Sequence, residues 1–296
     1  MTETAVALGT FDGLHTGHKA VIACTLSKKE RGLIPFVMLF DSHPLLTLTG
    51  SSPASILQDD LREERIRQMG AQIKYISFSE ISDYSAEEFF DKIIVGRFNA
   101  RAVCCGENYT FGKGGKGDCR LLASMCAERN MEFDKIPLVR CDFRPVSSSR
   151  IREEIVKGSI AKANEMLGCE FAYRSVVESG FHRGHLIGAP TVNQYFPDGF
   201  CIPKYGVYAS AAVFDGREYP AVTNIGVRPT FENSDLRSET CIIGFEGNLY
   251  GKSIEIRLID RIRDEKKFNS AEELGRQINK DAQKSARIFE KRNADV

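Results

Sequence analysis

Through the first half of the chain, short apolar runs alternate with charged, amphipathic stretches. Residues 5–8 (AVAL), 35–40 (PFVMLF), 73–78 and 102–105 read as strands. Between and after them, residues 17–30, 59–69, 86–94 and 118–129 read as helices. Gly70 supplies a C-terminal stop for the second of these, and Ser85 with Glu88 three residues on forms a capping-box entry to the third. Residues 147–157 and 160–166 follow as two further helices. Such β-α alternation implies an α/β domain, a parallel sheet covered by helices on both faces. Ligands in sheets of this kind sit beyond the carboxyl ends of the strands.

Near residue 167 the period changes. Residues 207–214, 219–223, 238–245 and 254–262 have β character and are separated by turns such as Asp215-Gly216 and Gly247-Asn248. This predicts an antiparallel barrel or sandwich, followed by a long charged helix over 271–289 capped by Ser270. The boundary is expected within 168–175, dividing the chain into domains 1–168 and 169–296. The final helix has a face for its own barrel or for a second copy of the chain, which leaves a homo-oligomer open.

A length of 296 residues agrees with two domains. Lysine plus arginine number 40, as do aspartate plus glutamate, so no bulk charge draws the protein to nucleic acid or to an anionic membrane. No apolar stretch approaches the roughly 20 residues of a membrane span. The nine cysteines lack CxxC spacing and are expected as free thiols in a reducing cytoplasm.

The most informative segment is GTFDGLHTGH, from Gly9 to His18. A buried strand ends at Gly9, and Gly13 and Gly17 permit a tight turn and close approach to a ligand. The backbone N–H groups of the following helix start can receive phosphate oxygens. His15 and His18, three residues apart, can face the same side of the first turn. Two imidazoles suit transfer at an α-phosphorus, where negative charge builds in the transition state. The segment HTGH after a strand resembles the HxGH motif of the nucleotidylyltransferase superfamily. Ser147-Ser-Ser-Arg-Ile-Arg152 opens another helix with hydroxyls and arginines suited to the same phosphates. Gly112-Lys-Gly-Gly-Lys-Gly117 matches GxGxxG and precedes a helix, but it follows an intervening Asn108-Tyr-Thr-Phe111 rather than the strand itself, which argues against a dinucleotide fingerprint. No GxxxxGK[ST] occurs, so ATP use through a P-loop is excluded.

With these motifs in hand, the chain resembles the bacterial bifunctional riboflavin kinase/FAD synthetases over nearly its whole length. GTFDGLHTGH, FDSHP (from Phe40), SAEEF (from Ser85), GENYTFG (from Gly106) and SSSRIR follow the family's order. So do GAPTVN (Gly188 to Asn193), NIGVRPTF (Asn224 to Phe231), Ser238-Glu-Thr240, Leu249-Tyr-Gly251 and IRDEKKF (Ile262 to Phe268). The resemblance implies a Rossmann-like nucleotidylyltransferase domain followed by a β-barrel riboflavin kinase domain. It implies that riboflavin and ATP give FMN in the second domain, and that FMN and ATP give FAD and pyrophosphate in the first. By the family's pattern His15 and His18 hold the ATP phosphates, and Ser148 and Arg152 assist. Gly9, Phe11, Asp12, Gly13 and Gly17 shape that ATP site, and His43 and Asn108 line the nucleotide or flavin pocket.

For the kinase, Pro190 stiffens a turn that presents Thr191 and Asn193 on one side of an extended segment. A hydroxyl and an amide oxygen are hard ligands suited to Mg2+ carrying ATP phosphates. Matching the family's pattern, Glu239 takes the proton from the ribityl hydroxyl. The chain departs from that pattern at His185, Ala189, Cys241 and Gly244, and in the first domain at Ser42 and Arg65. Two other readings therefore stand beside the bifunctional one: an FAD synthetase with an impaired kinase domain, and a non-catalytic flavin-binding regulator.

Overall fold

The computed structural model describes residues 2–178, 191–229 and 234–294. Residues 184–190 and 230–231, which hold part of the GAPTVN and NIGVRPTF motifs and the departures at His185 and Ala189, lie outside the described residues. By contacts the chain forms two compact units. One comprises Met1–Ala54 and Asp59–Ser148, the other Ser55–Gln58 and Ser149–Val296.

The first unit carries strands β1 (Thr4–Leu8), β2 (Ile34–Phe40), β3 (Gln72–Ile76), β4 (Ala100–Gly106) and β5 (Glu132–Ile136). They form a wholly parallel sheet in the order β3-β2-β1-β4-β5. β1 is central and buried at all five positions, which is why TAVAL reads as a continuous small-apolar run rather than an alternating one. Helices α1 (Thr16–Ser27), α2 (Pro44–Thr49), α3 (Asp59–Met69), α4 (Phe78–Ile81), α5 (Ala86–Phe89) and α6 (Cys119–Glu128) connect the strands. Gly70 follows α3 at φ +95°, a backbone region suited to glycine. The capping box at α5 is present: Ser85 Oγ accepts from the Glu88 N–H at 3.1 Å, and the Ser85 N–H donates to Glu88 Oε2 at 3.1 Å. After α5 the chain continues as a π-helix, Phe90–Arg97, which the apolar periodicity did not mark. A small hairpin of β6 (Arg140–Cys141) and β7 (Arg144–Pro145) precedes the last residues of this unit.

β5 was not expected from the sequence. Its EFDKI has no apolar run, and three of its five residues are charged. It lies at the sheet edge, where Lys28 binds Glu132 and Asp134 at 3.0 and 2.7 Å. A half-covered edge strand needs only partial burial, so its pattern is mixed.

The second unit begins with α7 (Ser148–Lys157, after its first residue) and α8 (Ile160–Leu167). Strands β8 (Phe171–Val176), β9 (Thr191–Tyr195), β10 (Gly206–Phe214), β11 (Arg217–Pro229), β12 (Ser234–Ile242) and β13 (Ser253–Arg263) follow. They form an antiparallel sheet in the order β8-β13-β10-β11-β12-β9. The sheet curls until its ends meet, where the Glu178 N–H donates to the Asn193 carbonyl at 2.9 Å. α8 is tied to this sheet through Asn164. Its Nδ2 donates to the Leu258 and Ile259 carbonyls at 2.8 and 3.1 Å, and its Oδ1 accepts from the Phe171 N–H at 2.8 Å. These bonds place residues before 168 with the barrel by contact.

Helix α9 (Ala271–Ala294) packs on its own sheet. Ser285 Oγ donates to the Ala221 carbonyl, and Arg263 forks onto Asp281 Oδ2 at 3.0 and 2.8 Å. Among the described residues no helix is long and apolar enough to cross a membrane.

Candidate functional site

In the first sheet the strand order reverses between β1 and β4, since the chain leaves β1 toward one edge and returns at β4 toward the other. A crevice at the carboxyl ends follows from that topology. A cavity of about 490 Å3 occupies the place, with Gly9 after β1 and Gly106 at the end of β4 in its walls.

The turn from β1 into α1 is unusually constrained. Phe11, Gly13 and Leu14 have φ of 53°, 80° and 45°, so two non-glycine residues sit in the left-handed region. Strain of this kind collects at functional sites and persists only where surroundings enforce it. The Phe11 ring fills the space a Cβ at Gly9 would need, at 3.2 Å. His15 is the N-cap of α1, and its Nδ1 accepts from the His18 N–H at 3.2 Å. That bond assigns the neutral proton to Nε2, leaving Nε2–H as a donor. The two imidazoles stack, with centroids 3.6 Å apart and planes 15° from parallel. Phe11 lies against His18 at 5.2 Å.

The electrostatics follow from this packing. Burial holds the His15 pKa down to about 4, against a backbone hydrogen bond that raises it. Burial, then the charges of His15 and Arg62, holds His18 well below the usual imidazole range. His18 Nδ1 is buried without a hydrogen-bond partner. Both rings are therefore neutral at pH 7 and positioned to gain from an anion.

The cavity collects Gly9, Phe11, His15, Gly17, His18, Asn108 and Ser148 from the expected set. Ser148 Oγ donates to the Asp12 carbonyl at 3.0 Å, tying the start of α7 to the strained turn. Asp12 and Gly13 belong to that turn and are buried, without lining the cavity. His43 caps α2, with Nδ1 accepting from the Leu45 N–H at 3.2 Å; its neighbour Pro44 lines the cavity instead. Arg152 lies one turn beyond Ser148 on α7, in the second unit.

Sequence reasoning missed the aromatic wall of Phe40, Phe78, Phe89, Tyr109 and Phe111. It also set aside Gly112-Lys-Gly-Gly-Lys-Gly117. That loop is a bridge-closed turn, Phe111 to Gly117, and not a dinucleotide fingerprint, yet Gly112, Gly114 and Gly115 line the cavity. A Cβ at Gly112 would lie 2.8 Å from the Ala86 nitrogen, so the capped entry of α5 requires glycine there. Their position just after β4, at a switch point, was the available signal.

In the second unit the pairing register assembles another group. Asn193 on β9 pairs with Glu239 on β12, and Glu239 pairs with Asn224 on β11. Directly paired residues share a face, and Thr191, two residues before Asn193, shares it as well. Asn193 is buried at 7% exposure, and one Glu239 carboxylate oxygen is buried. Cys241 pairs with Thr191 and is also buried, so this departure adds a thiol beside the hydroxyl. Asn224 was not singled out from sequence; only the register reveals it. Its Nδ2 reaches Glu265 Oε1 at 3.4 Å, and a Cβ at Gly226 would collide with that carboxylate. A hydroxyl, two amides and a carboxylate are a hard donor set.

The family model for FAD synthetase matches residues 1–150, and that for riboflavin kinase matches residues 167–289. The bifunctional riboflavin kinase/FMN adenylyltransferase of Bacillus subtilis is 33% identical over 303 residues, covering 97% of this chain and 93% of that protein. The Escherichia coli K12 protein of the same name is 29% identical over 291 residues, covering 96% and 92%. A crystal structure described as a macrolide-efflux protein from Streptococcus pneumoniae superposes with a TM-score of 0.86 at 30% identity, covering 96% of this chain and 94% of that one.

Proposed function

The chain belongs to the bifunctional riboflavin kinase/FMN adenylyltransferase family, and from that premise we infer how its residues divide the two reactions. The enzyme phosphorylates riboflavin to FMN and adenylylates FMN to FAD, using ATP in both steps. We assign adenylyl transfer to residues 1–168 and phosphorylation to residues 169–296. The observation that carries the first assignment is the stacked His15–His18 pair, His15 buried, opening α1 beside the switch-point cavity.

In adenylyl transfer an FMN phosphate oxygen attacks the α-phosphorus of ATP, and the bond to the pyrophosphate oxygen breaks. Charge grows on the equatorial oxygens. His15 Nε2–H, His18 and the first-turn amides of α1 stabilise it. Ser148 holds the strained turn in place through Asp12. Arg152 adds charge at the same phosphates, and the aromatic wall with Asn108 receives the flavin. His43 orients α2 at the cavity rim through its cap.

In phosphorylation, Glu239 accepts the proton of the ribityl hydroxyl as its oxygen attacks the γ-phosphorus and ADP departs. General-base help of this sort contributes on the order of 10²- to 10⁴-fold. The shared-face placement of Thr191, Asn193 and Glu239 supports this reading. Thr191 and Asn193 would hold Mg2+, which supplies neutralising charge on the ATP phosphates. We place the enzyme in the cytoplasm, acting on small molecules; balanced charge and cysteines without disulfide spacing support that placement.

The test separates the sites. Protein incubated with riboflavin and MgATP forms FMN and then FAD. Glu239→Gln stops FMN formation while FAD synthesis from added FMN survives, and His18→Ala does the reverse. If each variant loses both activities while still folded, the two-site assignment is wrong.

A further inference from the structure

Two thiol pairs lie in contact on opposite faces of β4. Cys104 Sγ is 3.4 Å from Cys24 Sγ on α1, and Cys105 Sγ is 3.7 Å from Cys119 Sγ at the start of α6. They differ in access: Cys24 is half-buried, whereas Cys104, Cys105 and Cys119 are buried. Adjacent strand residues point to opposite faces, so the pairs are chemically separate although Cys104 and Cys105 are neighbours.

Asp134 lies 4.0 Å from Cys104 Sγ, and the three side chains could in principle surround a metal ion. However, Lys28 Nζ holds that carboxylate at 2.7 Å and also binds Glu132 at 3.0 Å. A cation would have to displace an ammonium from its ion pair. Joining the two sulfurs needs nothing from Asp134.

We propose that Cys24 and Cys104 are an oxidative modification site, at which a peroxide forms a disulfide that restrains adenylyl transfer. The Cys24 thiolate takes one oxygen from hydrogen peroxide, releasing hydroxide and leaving a sulfenic acid. The Cys104 sulfur attacks that sulfur; the S–S bond forms, the S–O bond breaks, and the Cys104 proton leaves with the hydroxyl as water. Overall two thiols lose two electrons and one peroxide becomes two waters. Access makes Cys24 the first to react. Burial pushes the Cys104 thiol up, so it stays protonated until the sulfenic acid forms beside it.

The consequence comes from what the two elements carry. A disulfide is about 2.05 Å long, so sulfurs now 3.4 Å apart must close by roughly 1.4 Å. α1 opens with His15 and His18, and β4 ends at the Gly106 wall of the cavity. Misplacement of reacting groups by about 1 Å can cost on the order of 10²-fold in rate. This consequence rests on the assignment of adenylyl transfer to those histidines; formation of the bond does not.

The full-length protein is treated with hydrogen peroxide, alkylated, and mapped by peptide mass spectrometry, with both activities measured in parallel. The expected map links Cys24 to Cys104, two hydrogens lighter, with Cys105 and Cys119 alkylated. FAD formation from FMN and MgATP falls at least tenfold and returns with dithiothreitol, while FMN formation from riboflavin is unchanged. Cys24→Ser keeps FAD formation under peroxide. No link between these two residues, or a link between Cys105 and Cys119 instead, overturns the proposal. A complete link with undiminished FAD formation overturns its regulatory half. Absence of FAD formation in the reduced protein counts against the functional assignment, while the map still decides the bond.

Discussion

The His15–His18 pair makes a quantitative prediction about protons. With a pKa of about 4, His15 is charged in about one free molecule in a thousand at pH 7. A bound triphosphate favours the charged form, which carries its second proton on Nδ1 and gives up the bond accepted there from the His18 N–H. To make His15 half charged at pH 7 and mostly charged at pH 6, it must supply about three pKa units, or about 4 kcal/mol. Two charge-assisted hydrogen bonds of roughly 1.5–3 kcal/mol each reach that range. The rings stack 3.6 Å apart, so a second positive charge would be strongly opposed by the first. MgATP binding should therefore take up close to one proton per first-domain site near pH 6 and about half a proton at pH 7, never two. Calorimetry in buffers of different ionisation enthalpy measures that number, and His15→Asn, which retains an N-capping oxygen, should reduce it. The free-state value is read by histidine ring NMR, with the variant assigning the signal. A free His15 midpoint near 6.5, zero uptake, or uptake of two protons in this site would refute the reasoning. Stability obeys the same sign. The folded value lies below the unfolded 6.5, so the unfolded chain takes the proton first as pH falls. His15 then removes on the order of 3 kcal/mol between pH 6.5 and 4, and none above.

Further substitutions test neighbouring parts. Gly17→Ala places a Cβ 3.1 Å from His15 Cε1, so FAD formation should fall while FMN formation stays unchanged in a paired activity assay. Asn164→Ala removes three hydrogen bonds within the second unit and should cost about 2–4 kcal/mol, read by urea unfolding. Asn193→Ala should raise the Mg2+ concentration needed for half-maximal riboflavin phosphorylation at least tenfold, without altering the requirement for FAD synthesis.

The phosphate-handling end of the first unit was legible because its chemistry is local. A strand end, two glycines and two histidines within ten residues specify one turn, and the capping box at Ser85 is equally local. The aromatic wall was not legible, because Phe40, Phe78, Phe89 and Phe111 come from four segments and read as ordinary core positions until the sheet order brings them together. Asn224 was hidden for a related reason, since register between β11 and β12 decides which residues share a face with Glu239. β5 escaped because an edge strand can be largely charged. The helical segment 149–167 follows the α/β pattern in sequence yet packs by contact with the barrel, through bonds such as those of Asn164 that periodicity does not encode.

The tetrapeptide Ser55–Gln58 has a practical consequence for dividing the protein. Though it lies early in the chain, it belongs to the second unit. The Ser55 carbonyl accepts from the Cys201 N–H at 2.9 Å, and Ile56 and Leu57 are buried there. The Gln58 amide both donates to the Arg174 carbonyl at 2.8 Å and accepts from the Arg174 N–H at 2.6 Å. A kinase fragment cut anywhere after residue 148 leaves this piece behind, stranding the Arg174 backbone and opening an apolar groove. Gene fission or simple truncation therefore does not return two intact halves. A separable kinase would have to carry a copy of residues 55–58, in cis through a linker or in trans as a peptide.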